Sequence, residues 1–396
     1  MSYLLGIIGL FVTLGLAYLI SSNKKAIKLK PLIVMFVLQL VLGFVLLRTT
    51  FGTAVVSVLA KMFDHLLAFA GQGVDFVFAG VANKGSAPFF LSVLMPIVFI
   101  SAIIGILRYI KILPLFMKAV GLGLSKINGM GKLESYNGVA SAILGQSEVF
   151  ISIKKELPFL SEKRLFTMSV SAMSTVSMSI VGSYMALIDS KYVITALVLN
   201  LFGGYILASI VNPYVLDVLE EKEDELIIEE NKEQTFFQML GEYILDGFHV
   251  AITVAAMLIG FVALIAMINA IFHGIFGITF QEILGYIFAP LAFISGIPWK
   301  EAVDAGSIMA TKLVTNEFVA MTELANGHFH FTERTTAIIS VFLVSFANFS
   351  SIGIISGAMK GLNEEKGNLV AKHGLKILLT ATLVSFLSAI VTGLLV

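Results

Sequence analysis

Glu148 and Glu317 each stand near the middle of a long apolar run, "SAILGQSEVFIS" at 141–152 and "SIMATKLVTNEFVAMTEL" at 307–324. A carboxylate placed in hydrocarbon is costly unless neighbouring groups compensate it. Two of them at matched places point to a site. The residue types around them indicate what such a site would hold. Gln146 offers a paired donor and acceptor, which suits an amide-like edge such as that of a nucleobase. Glu317, with Asn348 and Ser351, can accept from and donate to vicinal hydroxyls, as on a sugar. Phe346 and Phe349 flank Asn348 and can pack on a flat ring. No arginines cluster near these residues, so an uncharged polyhydroxylated ligand fits better than a phosphate.

The elements that must position these residues are set by composition. The chain has 396 residues, of which 58% are hydrophobic and 13% charged. A soluble domain carries roughly 25% charged residues, so this is a polytopic membrane protein. Net charge is zero and cysteine is absent. The first excludes a basic face for nucleic acid; the second excludes a disulfide framework and thiolate chemistry. Eight runs are long enough to cross about 30 Å of hydrocarbon: Tyr3–Ile20, Pro31–Leu47, Pro88–Leu107, Leu165–Ile188, Val193–Val211, Val250–Ile268, Ala337–Met359 and Ile377–Val396. The first has no basic residue before it, so it reads as a span and not as a cleaved signal peptide. Lys24, Lys25, Lys28 and Lys30, then Arg108 and Lys111, then Lys360, Lys366, Lys372 and Lys376 fall on one side if the termini lie outside. That side is expected to be cytoplasmic. The acidic run at 217–234 reads as a solvated loop between two halves.

The segments Lys132–Pro158 and Pro298–Asn326 do not fit that scheme. Each has arms of about 10–15 residues on either side of a polar knot. An arm of about 12 helical residues reaches only about 18 Å. Each segment therefore reads as a re-entrant hairpin, the two entering from opposite sides. A hydroxyl-rich span follows each, "SAMSTVSMSIVGS" at 171–183 and "SFANFSSIGIISG" at 345–357. Thr175 lies 27 residues after Glu148, and Asn348 lies 31 after Glu317. Hairpin, broken span, span thus occurs twice in inverted topology, the sequence pointer to a transporter site at the midplane. The expected organisation is N-terminal scaffold and interfacial helices at 1–131, a first hairpin repeat at 132–212, then an acidic loop, scaffold span and interfacial helices at 213–296, and a second hairpin repeat at 297–396.

Other candidates are weaker. "GMGKLES" at 129–135 fails the phosphate-loop pattern because Leu133 follows Lys132; Lys126, Lys132 and the apolar residues Leu122–Ile127 suggest an interfacial helix instead. His328 and His330 make a poor metal site. His249, at the start of the sixth run, reads as an interfacial histidine, with a proton relay as the alternative. Lys312 can neutralise an acid or line the base of its hairpin. An intramembrane hydrolase using Ser147 lacks a basic partner.

"GQSE" at 145–148, "TNEFVA" at 315–320, "SFANFSSIGI" at 345–354 and "KGLNEEKGN" at 360–368 resemble the concentrative nucleoside transporter family, and the likeness runs over nearly the whole chain. The resemblance implies an all-α membrane protein of eight spans, two opposed re-entrant hairpins and interfacial helices. It implies a homotrimer with an elevator-like transport domain, no enzymatic activity and no cofactor. It places Gln146, Ser147 and Glu148 at the nucleobase, Glu317, Asn348 and Ser351 at the ribose, and Phe346 beside the sugar. The family commonly has Thr where Ser147 stands. Sodium-coupled members carry an Asn four residues before the hairpin glycine, where this chain has Ser141; the remaining ion ligands match the region of Leu144, Thr175 and Val176. Loss of that amide oxygen weakens a cation site wanting about five or six oxygens. The expectation is a proton-driven nucleoside importer in a bacterial inner membrane; sodium coupling, or the same fold carrying another small polar solute, is the alternative.

Overall fold

The computed structural model describes residues 2–78, 88–215, 234–326 and 329–396. The acidic run as far as residue 233, and His328, lie outside the described residues. Every regular element among the described residues is helical. The chain opens with α1 (Ser2–Leu19), α2 (Leu29–Arg48) and α3 (Thr50–Val77). A short π turn leads into α4 (Pro96–Tyr109), and α5 (Ile112–Asn128) follows. The expected interfacial stretch Leu122–Ile127 ends α5, but Lys132 does not belong to it: Lys132 opens α6 (Lys132–Leu144), the first arm of the first hairpin.

The second arm of that hairpin is shorter than expected. α7 (Glu148–Ile151) stops after four residues. The charged residues Lys154, Lys155 and Glu156 follow, and Pro158 sits in a 3-10 turn, Leu157–Phe159, that ends the hairpin. The first broken span is α8 (Glu162–Ser174) and α9 (Met178–Met185), and α10 (Ser190–Val211) returns across. α11 (Phe236–Phe276) runs for 41 residues, far beyond the Val250–Ile268 window. Its start is fixed by a capping box: Thr235 accepts from Gln238 N–H, and the Gln238 side chain accepts from Thr235 N–H.

α12 (Phe280–Ile294) meets α13 (Trp299–Val314) at a bend of 117°. Their backbones touch closely enough that a Cβ on Gly285 would lie 2.7 Å from the Val303 carbonyl oxygen, and one on Gly306 2.7 Å from that of Gly285. α13 and α14 (Glu317–Ala325) form the second hairpin. The second broken span is α15 (Glu333–Leu343) and α16 (Phe349–Leu362), and α17 (Glu364–Leu395) closes the chain. Three crossings separate the hairpins (α8–α9, α10 and α11), an odd number, so they enter from opposite faces.

The protein is thus an all-α membrane protein with an inverted repeat. Its spans bury differently: the apolar windows of α8–α9, α10 and α17 are mostly covered, while little of those of α2, α3 and α11 is buried. In water such exposure would be untenable; against lipid it costs nothing.

Candidate functional site

Each tip turns where its sequence cannot continue a helix. At the first, Gly145 has φ +104°, and a Cβ there would lie 2.9 Å from Glu148 Oε2 and 3.0 Å from Ser177 Cβ. Only glycine fits this turn. Ser147 precedes α7 and makes no capping bond to it. At the second tip, Asn316 caps α14 by accepting from Val319 N–H at 3.0 Å. Asn348 does the same for α16, accepting from Ser351 N–H at 3.0 Å and from the Ser350 hydroxyl at 2.6 Å.

These turns converge on one cavity of about 330 Å³. Gln146, Ser147 and Glu148 face it from the first tip, Glu317 from the second, and Phe346, Asn348 and Ser351 from the second broken span. Seven of the eight residues singled out from the sequence for ligand contact are therefore brought together. Phe349 is not: as the first residue of α16 it points outward and lines an apolar groove with Val12, Leu16 and Leu375. His249 does not begin its helix. It lies well inside α11 and faces the cavity, as do Thr253 and Met257.

The polar groups divide into engaged and free. Glu317 is buried, and each of its oxygens takes one protein donor: Oε1 the Tyr184 hydroxyl at 2.8 Å, Oε2 the Asn348 amide at 3.1 Å. Asn348 can present only its amide to Glu317, because its carbonyl oxygen is committed to the start of α16. Tyr184 has no counterpart in the sequence reading; a tyrosine in a span passes for a membrane-interface residue, though a buried hydroxyl needs a partner. By contrast, Gln146 Oε1 and Ser351 Oγ are buried and have no partner, and buried polar atoms left so are exceptions that call for a ligand or water. Glu148 is exposed to the cavity.

The proposed ion region is differently arranged. The Ser141 hydroxyl donates to Asn137 O at 2.6 Å, and the Thr175 hydroxyl to Ser171 O at 3.0 Å. The Leu144 carbonyl accepts from the Ser177 hydroxyl at 3.1 Å, and the Thr175 carbonyl from Phe346 N–H at 3.1 Å. Val176 is fully buried. The two hydroxyls thus donate to helix carbonyls, and the two carbonyls each accept one protein donor. Lys312 does not touch an acid: its ammonium is held by neutral oxygens of the second broken span and of α17.

The first hairpin is anchored from behind by a second set of contacts not foreseen from the sequence. Arg164 on α8 makes a buried bidentate pair with Glu134 on α6, with Nη2 to Oε2 at 3.0 Å. The Asn137 amide donates to Met168 O at 3.2 Å and the Tyr205 hydroxyl to Ser135 O at 2.6 Å. Such pairing fixes α6, and with it the tip, against the broken span.

Comparison with known proteins covers the chain from end to end. Family models described as the N-terminus and C-terminus of a Na+ dependent nucleoside transporter match residues 8–81 and 192–393, and one described as nucleoside recognition matches residues 90–191. The purine nucleoside transport protein NupG of Bacillus subtilis (strain 168) is 37% identical over the full length of both chains. Nucleoside permease NupC of Helicobacter pylori is 31% identical over 99% of this chain and 98% of its own. The structure of CNTnw in an inward-facing substrate-bound state superposes with a TM-score of 0.94 at 32% identity, covering 100% of this chain and 98% of that one.

Proposed function

The chain belongs to the concentrative nucleoside transporter family, and on that premise we propose that it imports nucleosides across a bacterial plasma membrane, driven by the proton gradient. The observation that carries the substrate reading is the cavity at the two tips, lined by both Gln146 and Ser351, whose Oε1 and Oγ lie buried and unpartnered. The nucleobase sits against Gln146, Ser147 and Glu148. The ribose sits against Glu317, Asn348 and Ser351, with Phe346 beside it. No cofactor takes part.

Ionised Glu317 has about four acceptor positions on its two oxygens. Tyr184 and Asn348 take two. The remaining two equal the number that vicinal ribose hydroxyls need. Transport then requires the hairpin repeats at 132–212 and 297–396 to move as a unit against a scaffold built from 1–131 and 213–296. The exposed apolar faces of α2, α3 and α11 suit contact with lipid and with two further copies in a homotrimer.

Two features support protons as the driving ion. Ser141 stands where sodium-coupled relatives place an amide, and the oxygens of Leu144 and Thr175 are already engaged by Ser177 and Phe346. The carrier is one of the two cavity acids, Glu148 or Glu317. The match to a family described as Na+ dependent favours the sodium alternative, and reconstitution separates the two. In proteoliposomes, an inward acid gradient is expected to raise initial uridine uptake several-fold without sodium. Uptake that ignores the pH gradient and follows an imposed sodium gradient would replace protons with sodium.

A further inference from the structure

Lys312 is the one charged residue at the heart of the second repeat that the ligand reading leaves unused. It lies on α13, one helical turn before the tip, and is 1% exposed. Its three ammonium protons all go to neutral oxygens: Phe342 O at 2.6 Å, Ser345 Oγ at 2.6 Å and Ser385 Oγ at 3.1 Å. The Phe342 ring lies beneath the nitrogen, 4.5 Å from its centroid. Burying an ammonium without a carboxylate against it is costly, and a leucine or methionine would fill the same space without that cost.

What the charge touches indicates its use. Phe342 and Ser345 form the C-terminal rim of the break between α15 and α16. That rim is the negative end of a half-helix, where a cation is favourable. Five residues further along the same hairpin, Glu317 takes the amide of Asn348 on the opposite rim, the N-terminal end of α16. Only Phe346 and Ala347 separate Ser345 from Asn348. The second hairpin thus holds both rims of its broken span, each with the charge the half-helix dipole favours. Among the described residues, the first hairpin meets its own break through a neutral bond, from the Ser177 hydroxyl to Leu144 O.

We propose that Lys312 is a positioning residue for the ribose half of the site: its ammonium locks the Phe342–Ser345 rim and thereby holds Phe346, Asn348 and Glu317 in register with the sugar. This rests on the ribose reading above. The ammonium itself does not reach the ligand; it acts through Ser345 and the two residues that follow.

The test compares uridine with 2′,3′-dideoxyuridine, which lacks both hydroxyls, in proteoliposome uptake. Wild-type protein is expected to prefer uridine by on the order of 100-fold in rate at low concentration, since a site built to bond hydroxyls rejects the analogue without them. Lys312→Met keeps the length and removes the charge. It is expected to raise the uridine KM about tenfold and to lower the preference from about 100-fold to about tenfold. A variant that is uniformly slower but keeps the wild-type preference would overturn the proposal. Ser345→Ala combined with Ser385→Ala leaves the ammonium and removes two of its acceptors. It should shift the preference in the same direction by a smaller factor, and it decides the matter by the same ratio if Lys312→Met does not assemble. A wild-type protein that takes up both compounds equally would defeat the ribose reading itself, and this inference with it.

Discussion

Glu317→Gln is expected to abolish nucleoside uptake while leaving the protein folded. Glutamine has the same volume and can keep the local bonds. Its carbonyl oxygen can accept from the Asn348 amide, and its own amide can donate to the Tyr184 hydroxyl, which rotates to accept. Asn348 cannot rearrange, because its oxygen caps α16. What disappears is the negative charge and the spare acceptor capacity facing the sugar. Hydrogen bonds to a charged group contribute about 1.5–3 kcal/mol each. Losing two corresponds to a fall of roughly 10²–10⁴-fold at 1.4 kcal/mol per tenfold. Initial-rate uptake of uridine, with the variant's assembly checked by size-exclusion chromatography, measures it. Near-normal transport would remove Glu317 from the ribose.

Gln146→Leu is expected to weaken binding at the other end of the ligand. The Gln146 carbonyl oxygen is buried at the first tip and has no protein partner. In the occupied site it accepts from the base while the amide hydrogens donate to it. Leucine fills similar space but leaves the polar edge of the base unpaired, a loss of about 1–3 kcal/mol. KM should rise roughly 10–100-fold, with the maximal rate changed much less, because the bonds are made on binding. The concentration dependence of uptake reads both constants. An unchanged KM would place the base elsewhere in the cavity.

Much of this site was legible in the sequence, and the parts that were not share a cause. Glu148 and Glu317 stood out because a carboxylate in an apolar run demands compensation. The two hairpins followed from arms too short to cross a bilayer. Asn348 stood out because it follows the second acid at an offset similar to that of Thr175 from the first, and Ser351 because its hydroxyl suits a sugar. Which neighbour a side chain faces was harder. Phe346 and Phe349 are equivalent in the sequence, and the cap at Asn348 decides between them: Phe346 lies in the break and turns into the cavity, while Phe349 starts α16 and turns out.

Partners distant in sequence were also beyond reach. Tyr184 meets Glu317 across 133 positions, and Arg164 meets Glu134 across 30. Nothing in the local pattern around either residue predicts its partner. His249, Thr253 and Met257 were hidden differently. Glu242, Asp246, His249 and Thr253 recur at helical spacing along α11, a polar stripe that shows only when the helix is followed back beyond Val250. The regular part of α7 ends at Ile151 and gives way to turns and a 3-10 turn at Leu157–Phe159, a change of helix type that the apolar pattern does not encode.

The most direct test is counterflow of labelled uridine in proteoliposomes, with unlabelled uridine or free uracil as competitor. If one half of the cavity binds the base and the other the ribose, uridine should suppress exchange of the label. Free uracil should leave it unchanged at concentrations roughly 100-fold higher, since the bare base forgoes every bond to Glu317, Asn348 and Ser351. Equal suppression by uracil and uridine would contradict a site that spans both hairpin tips.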